Sequence, residues 1–157
     1  MGMEGNFVIP CNVGGTKEMS TLADQGSDVN IMPLFVYNRL TNEKLLETDV
    51  RLALASNSYI YPLGVAEDVL VEVTGFVYPM GFMILDIKEG VKKCLILGTP
   101  YLTTARVEIK FDKGTISLRS KKEEKIKFHH MKELEFEAWK SKYSKSKAVA
   151  PKDESSS

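Results

Sequence analysis

Short apolar runs separated by turn residues dominate the first 120 positions of the 157-residue chain. Residues 7–13 and 17–23 flank Gly14-Gly15, a pair typical of a two-residue hairpin turn. Residues 69–73 and 77–85 form two further apolar runs joined by a short turn. Strands this short and this closely spaced predict an all-β domain, closed or sandwiched, rather than a βαβ arrangement.

The middle of the chain continues the pattern of short strands and turns, and one segment within it has helical spacing instead. Val50, Leu52 and Leu54 alternate with polar or small residues, which predicts a half-buried strand followed by a turn at 56–58. Residues 34–40 have helical spacing, and the apolar run 94–97 stops at a glycine. Residues 107–111 and 115–118 read as strands on either side of a tight Asp-Lys-Gly turn.

The composition changes after residue 120. Residues 121–147 are highly charged, and apolar positions at helical spacing between His129 and Tyr143 predict one short amphipathic helix. Residues 148–157 are small and polar, which predicts a disordered tail. We therefore expect a β domain over 6–128, a charged helix or linker over 129–147, and a tail.

Charge and cysteine content exclude several classes of protein. Lys plus Arg equals Asp plus Glu, 21 each, whereas a nucleic-acid-binding domain has a basic surplus. The two cysteines, Cys11 and Cys94, are too few for a disulfide scaffold, and we expect buried thiols in a reducing compartment. The sequence has neither a membrane-spanning apolar run nor a signal-peptide pattern, so we expect a cytoplasmic protein without a membrane partner.

The candidate chemistry lies in the stretch LADQGSDVNIM, residues 22–32. Asp24 stands between two apolar runs, and a buried carboxylate is costly unless it has hydrogen-bonding partners. Gly26 allows a tight turn directly after it. For an isolated Asp-x-Gly triplet, an exposed turn is the commoner interpretation.

The order of the motifs along the chain favours a chemical role for Asp24 over an exposed turn. A long hairpin over residues 50–73 follows Asp24, and LILG, residues 95–98, follows that hairpin. This order resembles the retropepsin family, in which a strand pair, a D-[ST]-G-[AS] motif, a flap hairpin and an I-[IL]-G motif with a short helix succeed one another. The resemblance spans residues 6–128 and is nearest to proteases of plant gypsy-type retrotransposon polyproteins. FVIPCNVGG, LADQGSDVNIMP, YPLGVAEDVLVEV, FMILD and CLILGTPYL carry it.

The resemblance implies a retropepsin-like closed β-barrel with a flap hairpin and one or two short helices, to which the helical spacing after residue 128 adds the charged C-terminal helix. It also implies roles for individual residues. Asp24 matches the catalytic aspartate of the family. The residues that match its substrate-binding positions are Gly26, Ser27, Asp28 and the flap-tip residues Ser56, Asn57 and Ser58. Matched to support of the active-site loop are Gln25, Ile96, Leu97 and Gly98.

Two positions depart from the family pattern. Gln25 replaces the usual Thr or Ser, and Thr99 replaces an Arg that pairs with the acid at position 28. Asp28 must then rely on backbone amides, water or another basic residue. The alternative to an active enzyme is a catalytically inactive dimerisation or binding module with the same fold.

Aspartic protease chemistry requires two carboxylates, and the chain offers one suitable motif. Asp112 also begins a D-x-G-[ST] sequence, but it sits in a hairpin turn with only 42 residues after Thr115. The resemblance therefore implies a homodimer that hydrolyses a polypeptide substrate without a cofactor. We expect no metal, because His129-His130 lacks further ligands and a glycine interrupts the faint calcium-loop pattern at Asp24.

Overall fold

The computed structural model describes residues 6–15, 19–87, 94–110, 115–119, 125–129, 143 and 145–150. Its strands are β1 (Asn6–Val13), β2 (Met19–Asp24), β3 (Ile31–Pro33), β4 (Arg51–Ala53), β5 (Tyr59–Ile60), β6 (Gly64–Val73), β7 (Phe76–Leu85), β8 (Cys94–Leu97), β9 (Val107–Lys110), β10 (Thr115–Arg119), β11 (Lys125–His129) and β12 (Lys147–Val149). Its helices are α1 (Leu34–Leu40) and α2 (Thr99–Thr104).

A closed barrel organises the chain in the strand order β1-β2-β8-β3-β7-β6. The hairpins β1–β2 and β6–β7 are antiparallel, whereas β2–β8 and β3–β7 are parallel. The barrel closes where Asn12 and Val13 of β1 pair with Glu72 and Val71 of β6. The expected closed all-β barrel with one or two short helices is thus confirmed, and the described residues contain two.

Two apolar clusters share the strands of the barrel. In β8, the side chains of Leu95 and Leu97 enter the larger cluster, whereas Ile96 between them enters the smaller one. Successive side chains of a strand point to opposite faces, so β8 is buried on both sides. This double burial explains why its sequence is wholly apolar rather than alternating.

The helices are short and begin at proline-containing turns. Pro33, with φ −64° and ψ 146°, precedes α1, and Pro100 occupies the first turn of α2. Proline suits these places because the first helical turn does not need its N–H. Within the described residues, no helix is long and apolar enough to cross a membrane.

The hairpin expected over residues 50–73 divides into two parts. β4 and β5 form a small hairpin of their own, whereas β6 extends back to Gly64 and pairs with β7 over most of its length. β4 and β5, with residues 54–58 between them, are called the β4–β5 hairpin below.

The C-terminal region contains strands that the sequence interpretation lacks. β11 pairs with β10, and its sequence KIKFH alternates polar and apolar residues, the period of a strand. The boundary placed after residue 128 therefore falls inside β11, and the start of the expected tail falls inside β12. Most of the expected helix over 129–147 lies outside the described residues, as do residues 151–157.

We predict that Gly98→Ala severely destabilises the fold. A Cβ at position 98 would lie 2.6 Å from the Ser27 carbonyl oxygen and closer still to that of Val29, and backbone atoms cannot move aside cheaply. The loss in unfolding free energy should be at least about 2 kcal/mol by denaturant titration. The matched control is Gly81→Ala, whose Cβ would meet nothing nearer than the Ala66 carbonyl oxygen at 3.8 Å. Equal stability of the two variants would contradict this packing.

Candidate active site

Asp24 is the last residue of β2, and its side chain is fully buried. The Gly26 N–H donates to Asp24 Oδ1 at 2.9 Å, and the Ser27 N–H donates to the Asp24 carbonyl oxygen at 3.2 Å. These two bonds close a turn directly after the strand. The turn holds the carboxylate in one orientation instead of releasing it to solvent.

Burial raises the pKa of Asp24 above its ordinary value. Backbone N–H groups of Lys145 and Gly26 and the positive charges of Lys145 and Lys147 oppose this rise, but the loss of solvation is the larger effect. A carboxyl group with a raised pKa keeps its proton to higher pH. That property suits a group that must share a proton with a second acid.

Gly98 brings the end of β8 against residues 25–30, which follow Asp24 and are called the active-site loop below. Its backbone lies so close to residues 27 and 29 that only hydrogen fits in place of a side chain, and the Thr99 N–H donates to the Ser27 carbonyl oxygen at 2.8 Å. Ile96 and Leu97, directly before it, are fully buried and pair with β2. The residues expected to support the loop from β8 therefore lie beside it, whereas Gln25 is exposed.

Asn30 is a structural residue of the site that the sequence interpretation missed. Its buried side chain accepts a hydrogen bond from the Gly98 N–H at 2.9 Å and donates one to the Gly81 carbonyl oxygen at 3.0 Å. Its own carbonyl oxygen accepts from the Met83 N–H at 2.8 Å. Asn30 thus joins the active-site loop to β7 and β8. A polar residue between buried Val29 and Ile31 was the available signal, since such a residue requires partners.

Ser27 and Asp28 meet the C-terminal residues of the chain. Ser27 Oγ is buried, 3.1 Å from the Val29 carbonyl oxygen and 3.3 Å from that of Ser146. Asp28 is exposed, and its Oδ1 accepts from the Ala148 N–H at 2.7 Å. A backbone amide, one of the partners considered for Asp28, therefore binds the carboxylate.

The position that usually carries an arginine borders a small cavity. Thr99 lines a space of about 260 Å³ together with Gln25, Leu102, Thr103, Arg106 and Val107. Both departures from the family pattern, at positions 25 and 99, thus face the same space. Within the described residues, no group of three or more His, Cys, Asp or Glu side chains could hold a metal ion.

The tip of the β4–β5 hairpin is exposed and bonded within itself. Ser56 Oγ and Ser58 Oγ lie 2.8 Å apart, and the Asn57 N–H donates to the Leu54 carbonyl oxygen at 3.0 Å. Asn57 has φ +68°, which Asn tolerates better than most residues. Among the described residues, no hydrogen bond joins this tip to Asp24.

The fold is that of the retroviral-type aspartic proteases. The chain is similar to the crystal structure of the retroviral protease-like domain of Ddi1 from Leishmania major, with a TM-score of 0.55 and 15% sequence identity. The match covers 81% of this chain and 92% of that one, and at this identity it establishes the fold. No protein-family model matches the chain, and no curated protein matches it in sequence.

We predict that Asn30→Ala destabilises the protein by about 2–4 kcal/mol, because it leaves the Gly98 N–H and the Gly81 carbonyl oxygen buried without their partner. Chemical denaturation measures the loss. Asn38→Ala is the matched control, because Asn38 is exposed on α1 and Ala favours a helix. If both variants unfold at the wild-type denaturant concentration, the bridging role of Asn30 is wrong.

Proposed function

We propose that this chain is an aspartic endopeptidase that works as a homodimer and hydrolyses peptide bonds with a water held between two Asp24 carboxyl groups. The observation that supports this most directly is the buried Asp24 carboxylate, fixed in an Asp-x-Gly turn whose next residues, Ser27 and Val29, pack against Gly98. A turn of this kind in a retropepsin-like barrel favours catalysis over the solvent-exposed turn that an isolated triplet would suggest.

The chemistry requires the two carboxyl groups to share one proton. At close range both cannot ionise, so the pair titrates together. The ionised carboxylate takes a proton from water, whose oxygen attacks the peptide carbonyl carbon, while the protonated carboxyl donates its proton to the carbonyl oxygen. The tetrahedral diol then breaks its C–N bond: the leaving amine takes a proton from the protonated carboxyl, and one hydroxyl of the diol returns a proton to the ionised carboxylate as the new carboxyl group forms.

The second carboxylate comes from a second copy of the chain. Strands β9 and β10, which precede and follow residues 111–114 in the sequence, pair antiparallel, with Thr115 opposite Lys110. This pairing supports the interpretation of the Asp112 motif as a hairpin turn rather than a second catalytic loop. Two identical copies meeting across a two-fold axis would bring Asp24 beside its equivalent.

The substrate we propose is an extended polypeptide that binds as an added strand. Gly26, Ser27 and Asp28 would contact it from the active-site loop, and residues 56–58 would close over it as a flap. On the sequence resemblance, we further propose that the natural substrate is a retrotransposon polyprotein and that the enzyme acts in the cytoplasm.

We predict that Asp24→Asn lowers cleavage of a pooled peptide library by at least about 100-fold, because the amide cannot exchange the catalytic proton. Asp49→Asn is the control, since Asp49 is an exposed acid in the loop before β4. Thermal melting checks that both variants are folded. Full activity in purified Asp24→Asn would remove Asp24 as the catalyst. Peptide binding without cleavage by every form would instead favour an inactive binding module.

We predict that excess Asp24→Asn copies inhibit the wild-type protein, because each mixed dimer contains only one competent acid. At fixed wild-type concentration, activity should fall as the inactive variant is added. Equal additions of Asp49→Asn should raise activity instead. Activity unchanged by the Asn variant, with a monomer seen by sedimentation, would contradict the homodimer.

A further inference from the structure

Residues near the C-terminal end of the chain lie across the candidate active site. Tyr143 and residues 145–149 are called the C-terminal segment below. β12 within it pairs antiparallel with β4, placing Lys147, Ala148 and Val149 opposite Ala53, Leu52 and Arg51. The segment thereby adds a third strand to the β4–β5 hairpin.

The backbone of the segment also bonds to the active-site loop. The Asp28 N–H donates to the Ser146 carbonyl oxygen at 3.1 Å, and the Ala148 N–H donates to Asp28 Oδ1 at 2.7 Å. The segment is therefore held by the hairpin on one side and by the loop on the other. Main-chain bonds from both sides are the contacts that an added peptide strand makes.

Asp24 itself is bonded to the segment. The Lys145 N–H donates to Asp24 Oδ2 at 2.7 Å, while the other carboxylate oxygen already accepts from Gly26. The active-site turn and the segment approach each other so closely that a Cβ at Gly26 would lie 2.6 Å from Lys145 Cγ. The segment therefore occupies the space directly over the carboxylate, where a substrate carbonyl and a water would have to stand.

Tyr143 anchors the segment in an apolar pocket between the barrel and the hairpin. Its side chain is 9% exposed and belongs to the smaller cluster, with Leu22, Ile31 and Ile96 from the barrel and Leu52 and Leu54 from the hairpin side. A buried aromatic side chain contributes a large apolar area to such contacts. The pocket therefore accommodates an aromatic residue two positions before the residue whose N–H bonds to Asp24.

Lys145 adopts a backbone conformation that a side chain disfavours. Its φ is +58°, in the left-handed region where glycine is preferred. The next residue, Ser146, donates a hydrogen bond from its Oγ to the Tyr143 carbonyl oxygen at 2.6 Å, which helps to hold Lys145 in this conformation. The strained residue is thus the one that lies over the carboxylate, which makes it a sensitive position for weakening the contact.

We propose that the C-terminal segment is an intramolecular occupant of the peptide-binding cleft, and that peptides reach Asp24 only by displacing it. The recognised ligand is an extended strand with an aromatic side chain placed as Tyr143 is. This inference deepens the proposed function and rests on it for its consequence, self-inhibition of the protease. The occupancy of the cleft can be measured by binding alone.

The test uses the full chain and a fluorescent peptide with the sequence of residues 142–150. Lys145→Pro removes the N–H that bonds to Asp24 and excludes the positive φ, so it should release the segment. Ala150→Pro is the matched control, because it lies just beyond β12 and proline favours the extended conformation already present at residue 149. Fluorescence anisotropy should show at least about ten-fold tighter peptide binding to Lys145→Pro than to wild type, because the competing segment has gone. Ala150→Pro should bind the peptide as wild type does.

Two further variants test the same contact independently of Lys145→Pro, and an altered peptide tests for nonspecific binding. Tyr143→Asp places a charge in the apolar pocket and should also open the cleft to the peptide. Lys145→Gly relieves the backbone strain and should weaken peptide binding about five-fold relative to wild type. A peptide with Asp in place of its Tyr should fail to bind any form.

Equal peptide affinity of wild type, Lys145→Pro and Tyr143→Asp would overturn the inference, and so would absence of binding to every form. A cleavage assay on the same proteins separates the two proposals. Tighter binding accompanied by faster cleavage in the released variants supports both. Tighter binding without cleavage leaves occupancy of the cleft standing and removes the proposed protease activity.

Discussion

The burial of one carboxylate constrains the whole centre of this protein. Asp24 loses solvation at the end of β2, and its oxygens must accept hydrogen bonds from protein groups instead of water. The Gly26 N–H can do so only if the chain turns sharply, and that turn is held in place by the close approach of Gly98. The side chain of Asn30 then fixes Gly98 from the other side. The acid, the turn, the glycine and the amide form one interdependent unit.

The same constraint explains why the C-terminal segment fits the site so well. The second carboxylate oxygen of Asp24, the exposed Asp28 carboxylate and the edge of β4 opposite β5 all offer hydrogen-bonding capacity. A strand placed there satisfies all of them through Lys145, Ala148 and its pairing with Leu52. The cleft therefore recognises extended backbone, and the apolar pocket around Tyr143 adds a side-chain preference.

The two departures from the family pattern have a common structural setting. Gln25 and Thr99 line one cavity beside the active-site turn, while Asp28 obtains a backbone partner from the C-terminal segment. While the segment is in place, the Asp28 carboxylate therefore has a hydrogen-bond donor even though position 99 carries no arginine. In the proposed displacement of the segment by a peptide, a backbone N–H of the peptide would replace that of Ala148.

The sequence by itself determined the short strands, helix α1 and the tight turn after Asp24, because these depend on local periodicity and turn chemistry. Residues 34–40 are helical as predicted, and the run 94–97 is the strand that the apolar pattern indicated. Only the tertiary structure decided that Asn30 ties the active-site loop to Gly98 and Gly81, and that β12 is a strand lying between Asp28 and β4. Those features depend on groups far apart in the chain, 68 residues for Asn30 and Gly98 and 121 for Asp24 and Lys145. The three residues of β12 are too few to carry a periodic signal of their own, and backbone hydrogen bonds can place them as a strand almost regardless of side chain.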